Sequence, residues 1–480
     1  MGYRLSEMAR AGRGGAYSRM NDPRARGRRI LKPNDISSRI TPIPNAHGLA
    51  FEFPLNPGEE TACAASGMID QPIAIEIRGL KSGERIGVKA RLRDDRKRLW
   101  ESHAIFAADD SGLVSLAKHP PVAGCYLGID RMGLFWSLAM DSARSGPPTP
   151  FTKKELTPAL VELAVERDRA TAIITRVERH FFIPGTRIHD VREDGLVGRF
   201  FIPPCDGKRP TVIVLGGSGG GLDWENAAVL SSHGYVTLAL AYFGIPPLPG
   251  SLQNIPLEYF GTAIAWLGRQ TDAHRDRIAV MGMSKGGELA LLLGSYFPEL
   301  VRAVVGVVPS SVVWPGFGKG LHSSWTYQGQ SLPFVPTPTG WFKTKSFFRM
   351  LAARPIAFRN MYESALKNHQ AVARATIPVE KIRCPVLLIS GSDDQVWPSA
   401  RMSRMIMERL ASHGFAYPYE HVCCEGAGHT FRCPYTPATL SRSKHPSMPV
   451  EVLLGGNPLA QARGQLEAWQ RTLQFLKRHL

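Results

Sequence analysis

Residues 277–294 read RIAVMGMSKGGELALLLG. The first part of this stretch, IAVM, is a continuous apolar run typical of a buried strand, and its last part, ELALLLG, has the pattern of a helix. Between the two lies Ser284, with Gly282 two residues before it and Gly286 two residues after it. The stretch therefore predicts a sharp strand-to-helix turn with one serine at its apex.

Two interpretations of Ser284 are open from this turn alone. An N-cap serine would hydrogen bond to the first turn of its own helix. A nucleophile on a G-x-S-x-G turn would instead be followed along the chain by an acid and then by a histidine. That order is met, because Asp393 and Asp394 follow the apolar run PVLLIS, and His429 lies in a glycine-bracketed turn after EHVCC. The sequence therefore favours a nucleophile activated by His429.

Either aspartate could orient the histidine. Asp394 is the predicted acid because Trp397 and Pro398 follow it at the usual spacing, acid, two residues, apolar residue, proline. Asp393 is then a turn residue whose side chain hydrogen bonds to nearby backbone.

The oxyanion of an acyl-transfer reaction needs backbone N–H donors. We expect one donor from Lys285, the residue after the nucleophile, and another from the loop LGGSGGGLDW, at Ser218 or the adjacent Gly217. The same glycines could suggest a phosphate loop. However, the loop lacks the Lys-Ser/Thr pair and the dinucleotide spacing, which argues against nucleotide binding.

The chain contains two predicted architectures. Residues 55–195 show strict apolar alternation, as in PIAIEIRGL and GVKARLRD, which predicts the half-buried antiparallel strands of a β-sandwich. Residues 200–480 alternate buried apolar runs with helical patterns, which predicts a mostly parallel sheet covered by helices, the α/β class. An aromatic- and proline-rich excursion, residues 311–380, interrupts this rhythm and is predicted to be a cap over the carboxyl edge of the sheet.

Composition excludes several classes of protein. The chain has 480 residues, 44% of them hydrophobic and 21% charged, as expected for a globular protein of more than one domain. No apolar run reaches the roughly 20 residues of a membrane span. The seven cysteines are scattered without C-x-x-C spacing. We therefore predict no zinc or other metal site, no disulfide framework and a cytoplasmic location.

The N-terminal segment, residues 1–50, is predicted to be a disordered tail. Its first 35 residues hold nine Lys and Arg against three Asp and Glu, and contribute part of the formal net charge of +17. Little in the segment can be buried. A nucleic-acid-binding arm and a mitochondrial presequence are the alternatives. No folded nucleic-acid motif follows the segment, and its Gly and Pro residues oppose the helix of a presequence, so we predict no nucleic-acid partner.

At these residues the chain resembles the type I acyl-CoA thioesterases and bile acid-CoA:amino acid N-acyltransferases. The elbow GMSKGGELAL is similar to that family's Ser-Lys-Gly-(Gly/Ala)-Glu-Leu. The segments QPIAIEIRGLKSGERI and VERHFFIPG, and the ending GGNPLAQARGQLEAWQRTLQFLKRHL, extend the likeness over about residues 60–480. The resemblance implies an immunoglobulin-like sandwich followed by an α/β-hydrolase domain, with Ser284, Asp394 and His429 as a catalytic triad.

The resemblance also implies the reaction. Thioesterases of this family carry serine as the nucleophile and the amino-acid-conjugating enzymes carry cysteine, so Ser284 favours hydrolysis of acyl-CoA to free acid and CoA. No cofactor is then needed, and the partner is a small-molecule acyl-CoA or ester substrate. The alternatives are acyl transfer to an amine or alcohol, hydrolysis of general esters or lactones, and an inactive binding protein.

The predicted cap, residues 311–380, matches the family poorly. It places cations beside aromatic residues, and we expect the cations to contact the phosphates of CoA. The alternative is a solvated basic face on an amphipathic helix. The cations chosen for this role are Lys343, Lys345 and Arg349.

Overall fold

The computed structural model describes residues 49–52, 65–140, 149–167, 170–337, 354–444 and 450–480. The predicted tail, residues 1–50, lies outside this part of the chain except for its last two residues. These two residues begin strand β1.

The N-terminal half of the described chain forms a β-sandwich of two sheets. The smaller sheet has the strand order β1-β3-β6, and the larger has the order β2-β10-β9-β4-β5-β7, with β8 paired to β5. One short helix, α1 (Gly133–Trp136), follows β7. The strands are β1 (Leu49–Glu52), β2 (Ala65–Met68), β3 (Ile75–Arg78), β4 (Arg85–Arg93), β5 (Leu99–Ala107), β6 (Val114–Ser115), β7 (Ala123–Gly124), β8 (Ala139–Met140), β9 (Ala159–Arg167) and β10 (Ala170–His180).

The predicted alternation is present in these strands because only one face of each sheet meets the core. In β4 every second side chain is buried, and the residues between them face outward. The buried side chains of this strand are Ile86, Val88, Ala90 and Leu92.

The C-terminal half is an α/β-hydrolase domain, as predicted. Its strands are β11 (Arg187–Val191), β12 (Val197–Ile202), β13 (Arg209–Leu215), β14 (Val236–Ala241), β15 (Ile255–Pro256), β16 (Ala273–Met283), β17 (Ala303–Val307), β18 (Trp325–Tyr327), β19 (Gln330–Ser331), β20 (Val386–Gly391), β21 (Tyr419–Cys424), β22 (Arg442–Lys444) and β23 (Glu451–Leu453). Its helices are α2 (Trp224–Ser232), α3 (Glu258–Gly268), α4 (Lys285–Tyr296), α5 (Arg359–Ala365), α6 (His369–Ala375), α7 (Ser399–Ser412) and α8 (Pro458–His479).

One large sheet organises this domain. Its strand order is β11-β12-β14-β13-β16-β17-β20-β21, and the strands from β14 to β21 run parallel to one another. Strands β14, β17 and β20 are buried along their whole length because helices cover both faces of the sheet. The carboxyl ends of these strands meet at one edge, where ligands of open α/β sheets bind.

The strand pairing places the boundary between the two architectures earlier in the chain than the sequence patterns predicted. Sequence patterns assigned residues up to 195 to the sandwich, but β11 pairs antiparallel with β12 in the large sheet. The large sheet therefore begins at Arg187. The strand β11 has the sequence RIHDV, in which only Val191 is buried, so no continuous apolar run marked it as part of the large sheet.

The predicted cap, residues 311–380, occupies the chain between β17 and β20. Its described part contains β18, β19, α5 and α6, and β18 pairs with β15 from outside the cap. The segment 338–353 lies outside the described residues.

The hydrophobic core is continuous across both architectures. One cluster of buried side chains includes Phe106 and Trp100 of the sandwich together with Trp224 and Trp469 of the hydrolase domain. The sandwich is thus packed directly against the domain that carries the elbow.

Candidate active site

Ser284 lies at the apex of the turn that joins β16 to α4. Its backbone has φ 59° and ψ −118°, and residues other than glycine rarely have such a positive φ. Although Ser284 occupies the N-cap position, its side chain makes no capping hydrogen bond. Such strained backbone costs roughly 1–3 kcal/mol and is concentrated at functional sites. The geometry therefore contradicts the N-cap interpretation of this serine.

Close backbone contacts explain the glycines of the elbow. A Cβ atom built on Gly282 would lie 2.0 Å from the carbonyl oxygen of Gly286. A Cβ atom built on Gly286 would lie 2.5 Å from the carbonyl oxygens of Leu215 and Gly216, at the end of β13. The backbone N–H of Ser284 donates to Val307 O at 2.8 Å, which ties the turn to β17. No side chain at either glycine could preserve this approach.

His429 faces Ser284 from the turn after β21. Its Nε2 lies 2.9 Å from Ser284 Oγ, and its Nδ1 lies 2.8 Å from Asp394 Oδ2. Its backbone N–H donates to Leu454 O at 2.9 Å, so the C-terminal segment holds the turn. Nε2 is thereby placed to accept the hydroxyl proton of Ser284, while Nδ1–H donates to the carboxylate.

Asp394 and Asp393 have different tasks although they are adjacent. Asp394 is only 1% exposed, and its Oδ2 accepts both His429 Nδ1–H and the hydroxyl of Ser399, the latter at 2.6 Å. Its Oδ1 accepts the backbone N–H groups of residues 396 and 397. Asp393 instead accepts from the Gln395 side chain at 2.7 Å and from the Gly456 backbone at 2.8 Å. The structure thus brings Asp394, and not Asp393, to the histidine.

The residues predicted to supply the oxyanion donors are close to the serine, Lys285 in the chain and Gly217 in space. A Cβ atom built on Gly217 would lie 3.3 Å from Ser284 Cβ, so the glycine-rich loop that also contains Ser218 passes directly beside the elbow. Lys285 is the first residue of α4. The first N–H groups of a helix have no partner within it, and the helix dipole favours negative charge there.

The side chain of Lys285 is buried and forms an ion pair that the sequence reasoning missed. Its Nζ lies 2.6 Å from Glu288 Oε1, and the two side chains are 1% and 0% exposed. Burial lowers the pKa of Lys285 and raises the pKa of Glu288, while the opposite charge of each partner counteracts both shifts. Two charges three residues apart in an otherwise apolar helix, KGGELALLLG, were the available signal.

The contact of Ser399 with Asp394 was also missed, although Ser399 directly follows the Trp397-Pro398 pair used to choose the acid.

The predicted CoA contacts, Lys343, Lys345 and Arg349, lie outside the described residues. Within the described ranges, no group of three or more His, Cys, Asp and Glu side chains could hold a metal ion. In the same part of the chain, no helix combines the length and apolar composition needed to cross a membrane.

Two family models match the chain. The model described as "Acyl-CoA thioester hydrolase/BAAT N-terminal region" matches residues 70–193. The model described as "BAAT / Acyl-CoA thioester hydrolase C terminal" matches residues 255–480.

Several known proteins are similar to the chain. Acyl-coenzyme A thioesterase 6 of Mus musculus is 33% identical over 421 residues, covering 86% of this chain and 94% of that protein. Acyl-coenzyme A thioesterase 2, mitochondrial, of Mus musculus is 33% identical over 418 residues, covering 86% and 87%. Among solved structures, a dienelactone hydrolase from Anabaena variabilis is 17% identical with a TM-score of 0.34, covering 62% of this chain and 99% of that one.

Proposed function

The chain belongs to the acyl-CoA thioester hydrolase/BAAT family, and on that premise we propose that it hydrolyses acyl-CoA through an acyl-enzyme intermediate on Ser284. Thioesterase relatives of similar length support the substrate class. The observation that carries the mechanism is the 2.9 Å separation of Ser284 Oγ and His429 Nε2, at a turn where the serine makes no capping bond. A serine hydroxyl is a weak nucleophile until such a base accepts its proton.

In the acylation step, Ser284 Oγ attacks the thioester carbonyl carbon while its proton passes to His429 Nε2. The carbonyl electron pair moves to the oxygen and forms the oxyanion. When the tetrahedral intermediate collapses, the C–S bond breaks, and the CoA sulfur takes the proton from His429. The acyl group is then held on Ser284 as an ester.

The deacylation step repeats this chemistry with water. His429 accepts a proton from a water molecule, whose oxygen attacks the ester carbonyl. Collapse releases the free acid and returns the proton to Ser284 Oγ. Throughout both steps, Asp394 accepts the Nδ1–H of His429, which keeps the imidazole in one tautomer and stabilises its protonated form.

The oxyanion is held by backbone donors in this proposal. The Lys285 N–H lies at the start of α4, where the helix dipole also favours negative charge. The second donor comes from the loop at Gly217 and Ser218, which passes beside the elbow. These groups stabilise charge that exists only in the transition state and intermediates, so they accelerate the chemical steps.

The test is product analysis with a panel of acyl-CoAs, in the presence and absence of glycine or taurine. We expect one free acid for each CoA thiol released, with no acylated amine. If an acylated amine is the main product, the reaction is acyl transfer and the proposal of hydrolysis is wrong. Turnover of p-nitrophenyl esters without any turnover of acyl-CoA would instead identify a general esterase.

A further inference from the structure

We propose that the buried Lys285–Glu288 ion pair is a positioning device, which anchors to the elbow helix an aromatic wall that holds the His429 imidazole. The wall consists of Trp314, Tyr362 and Trp397. This inference rests on the proposed roles of Ser284 and His429 and adds a reason for their alignment. The ion pair itself touches neither reacting atom.

The ion pair forms hydrogen bonds to the main chain of Trp314, one residue of the wall. Lys285 Nζ donates to the carbonyl oxygen of Trp314 at 3.1 Å, and the N–H of Trp314 donates to Glu288 Oε2 at 3.4 Å. The indole N–H of Trp325 donates to Glu288 Oε1 at 2.7 Å. Two opposite charges thus fix both polar main-chain atoms of Trp314 to the first turn of α4.

The wall continues from Trp314 to the histidine through edge-to-face ring contacts. Ring centroids are separated by 4.6 Å between Trp314 and Tyr362, and by 5.9 Å between Tyr362 and Trp397. The last contact, between Trp397 and His429, is 5.7 Å. The Trp397 indole N–H donates to Val308 O at 3.1 Å, which fixes this end to the loop after β17. The elbow helix and the histidine are therefore connected by packed side chains in addition to the direct hydrogen bond.

The attraction between Lys285 and Glu288 gives by itself no reason for two charges at this place. Replacing a buried ion pair by apolar side chains of similar volume is often neutral or stabilising, because desolvation offsets the attraction. Apolar side chains could fill the same space in the helix. They could not direct hydrogen bonds to the N–H and C=O of Trp314, and this direction is what the ion pair contributes.

The decisive variant is the double substitution Lys285→Met/Glu288→Leu. We expect it to fold with a lower thermal midpoint than the wild type, because the N–H of Trp314 and the indole N–H of Trp325 lose their buried acceptor. We expect kcat to fall roughly 10- to 100-fold for both acyl-CoA and a p-nitrophenyl ester, with KM within about 2-fold, because misplacement of the reacting groups affects chemistry rather than binding. A purely structural ion pair would leave kcat at the wild-type value in the folded double variant.

A milder variant covers the case in which the double variant does not fold. Trp325→Phe keeps an aromatic ring in place, and it removes the N–H that Glu288 accepts together with part of the buried indole. We expect a smaller fall in kcat, roughly 3- to 10-fold, again with unchanged KM. The matched control is Asp95→Asn, which weakens the partly buried Lys153–Asp95 pair of the sandwich, at 3.0 Å. This control should lower the thermal midpoint and leave kcat unchanged.

Wild-type kcat in the double variant, or in Trp325→Phe if only that variant folds, would overturn the inference. A rise in KM confined to acyl-CoA would also overturn it, since the pair would then serve substrate binding. Ser284→Ala, measured in parallel, separates this failure from failure of the proposed function. Wild-type activity in Ser284→Ala would contradict the proposed nucleophile. An inactive Ser284→Ala together with a fully active double variant would contradict only the positioning role of the ion pair.

Discussion

Gly282 in the elbow and Gly87 in the sandwich are both strand glycines, but their surroundings differ. A Cβ atom on Gly282 would lie 2.0 Å from a carbonyl oxygen, whereas one on Gly87 would meet its nearest neighbours, both in Glu166, at an ordinary 3.6 Å. The ion pairs of the two regions also differ in how far they are exposed to solvent. Lys285 and Glu288 are 1% and 0% exposed, while Lys89 and Glu166 on the sandwich face are 38% and 25% exposed.

This difference shows where the molecule is constrained. In the turns around Ser284, close backbone contacts, a buried ion pair and packed aromatic rings restrict one another. On the outer face of the sandwich, the same types of residue lie beside solvent and can adjust. Substitutions should therefore have large effects in the first region and small effects in the second.

The largest expected effect is that of Asp394→Asn. The amide would hold the histidine in the wrong tautomer, and kcat should fall about 10⁴-fold. Asp393→Asn is the matched control, because Asp393 accepts hydrogen bonds only from Gln395 and Gly456 among the described contacts. Loss of one such bond should change kcat by less than about 10-fold. Steady-state kinetics with acyl-CoA compares the two, and equal losses would contradict the assignment of the acid.

The next effect is that of Gly282→Ala compared with Gly87→Ala. The added methyl group forces the elbow apart, which should lower the free energy of unfolding by roughly 3 kcal/mol and remove activity. At Gly87 the methyl group fits, and replacing a strand glycine should raise the same free energy by roughly 0.5–1 kcal/mol. Urea unfolding measures both values. If the two alanines cost the same, the elbow is not the tighter region.

The smallest effect is expected from Glu166→Gln, which removes the charge of the partly exposed partner of Lys89. Exposed ion pairs contribute roughly 0.2–1 kcal/mol, because solvent screens them and two long side chains must be ordered. The thermal midpoint should shift by at most about 3 °C and kcat should not change. A fall in kcat would show that the sandwich face influences the site and would weaken the comparison.

Local patterns were sufficient to predict the parallel α/β sheet and the elbow, and the resemblance to a known family added the α/β-hydrolase fold. The apolar run, the glycines and the helical pattern all lie within residues 277–294, where β16 ends at Met283 and α4 begins at Lys285. The acid could be chosen between Asp393 and Asp394 only by spacing. The spacing selected Asp394, the residue that the structure brings to His429.

Long-range contacts could not be predicted in the same way. Glu288 meets Trp314 and Trp325, which are 26 and 37 residues away, and no periodicity relates these positions. The boundary before β11 was missed because this edge strand is mostly exposed and lacks the apolar run of the inner strands. In both cases the missing information is which segments pair, and that depends on the packing of the whole domain.

Labelling with a fluorophosphonate tests whether Ser284 is the nucleophile. Such probes phosphonylate an activated serine, and peptide mass spectrometry locates the adduct. We expect one adduct per chain, on Ser284, with activity lost in proportion to labelling and no adduct in Ser284→Ala. Complete inactivation with the adduct on another residue, or full activity retained in chains labelled at Ser284, would contradict this assignment.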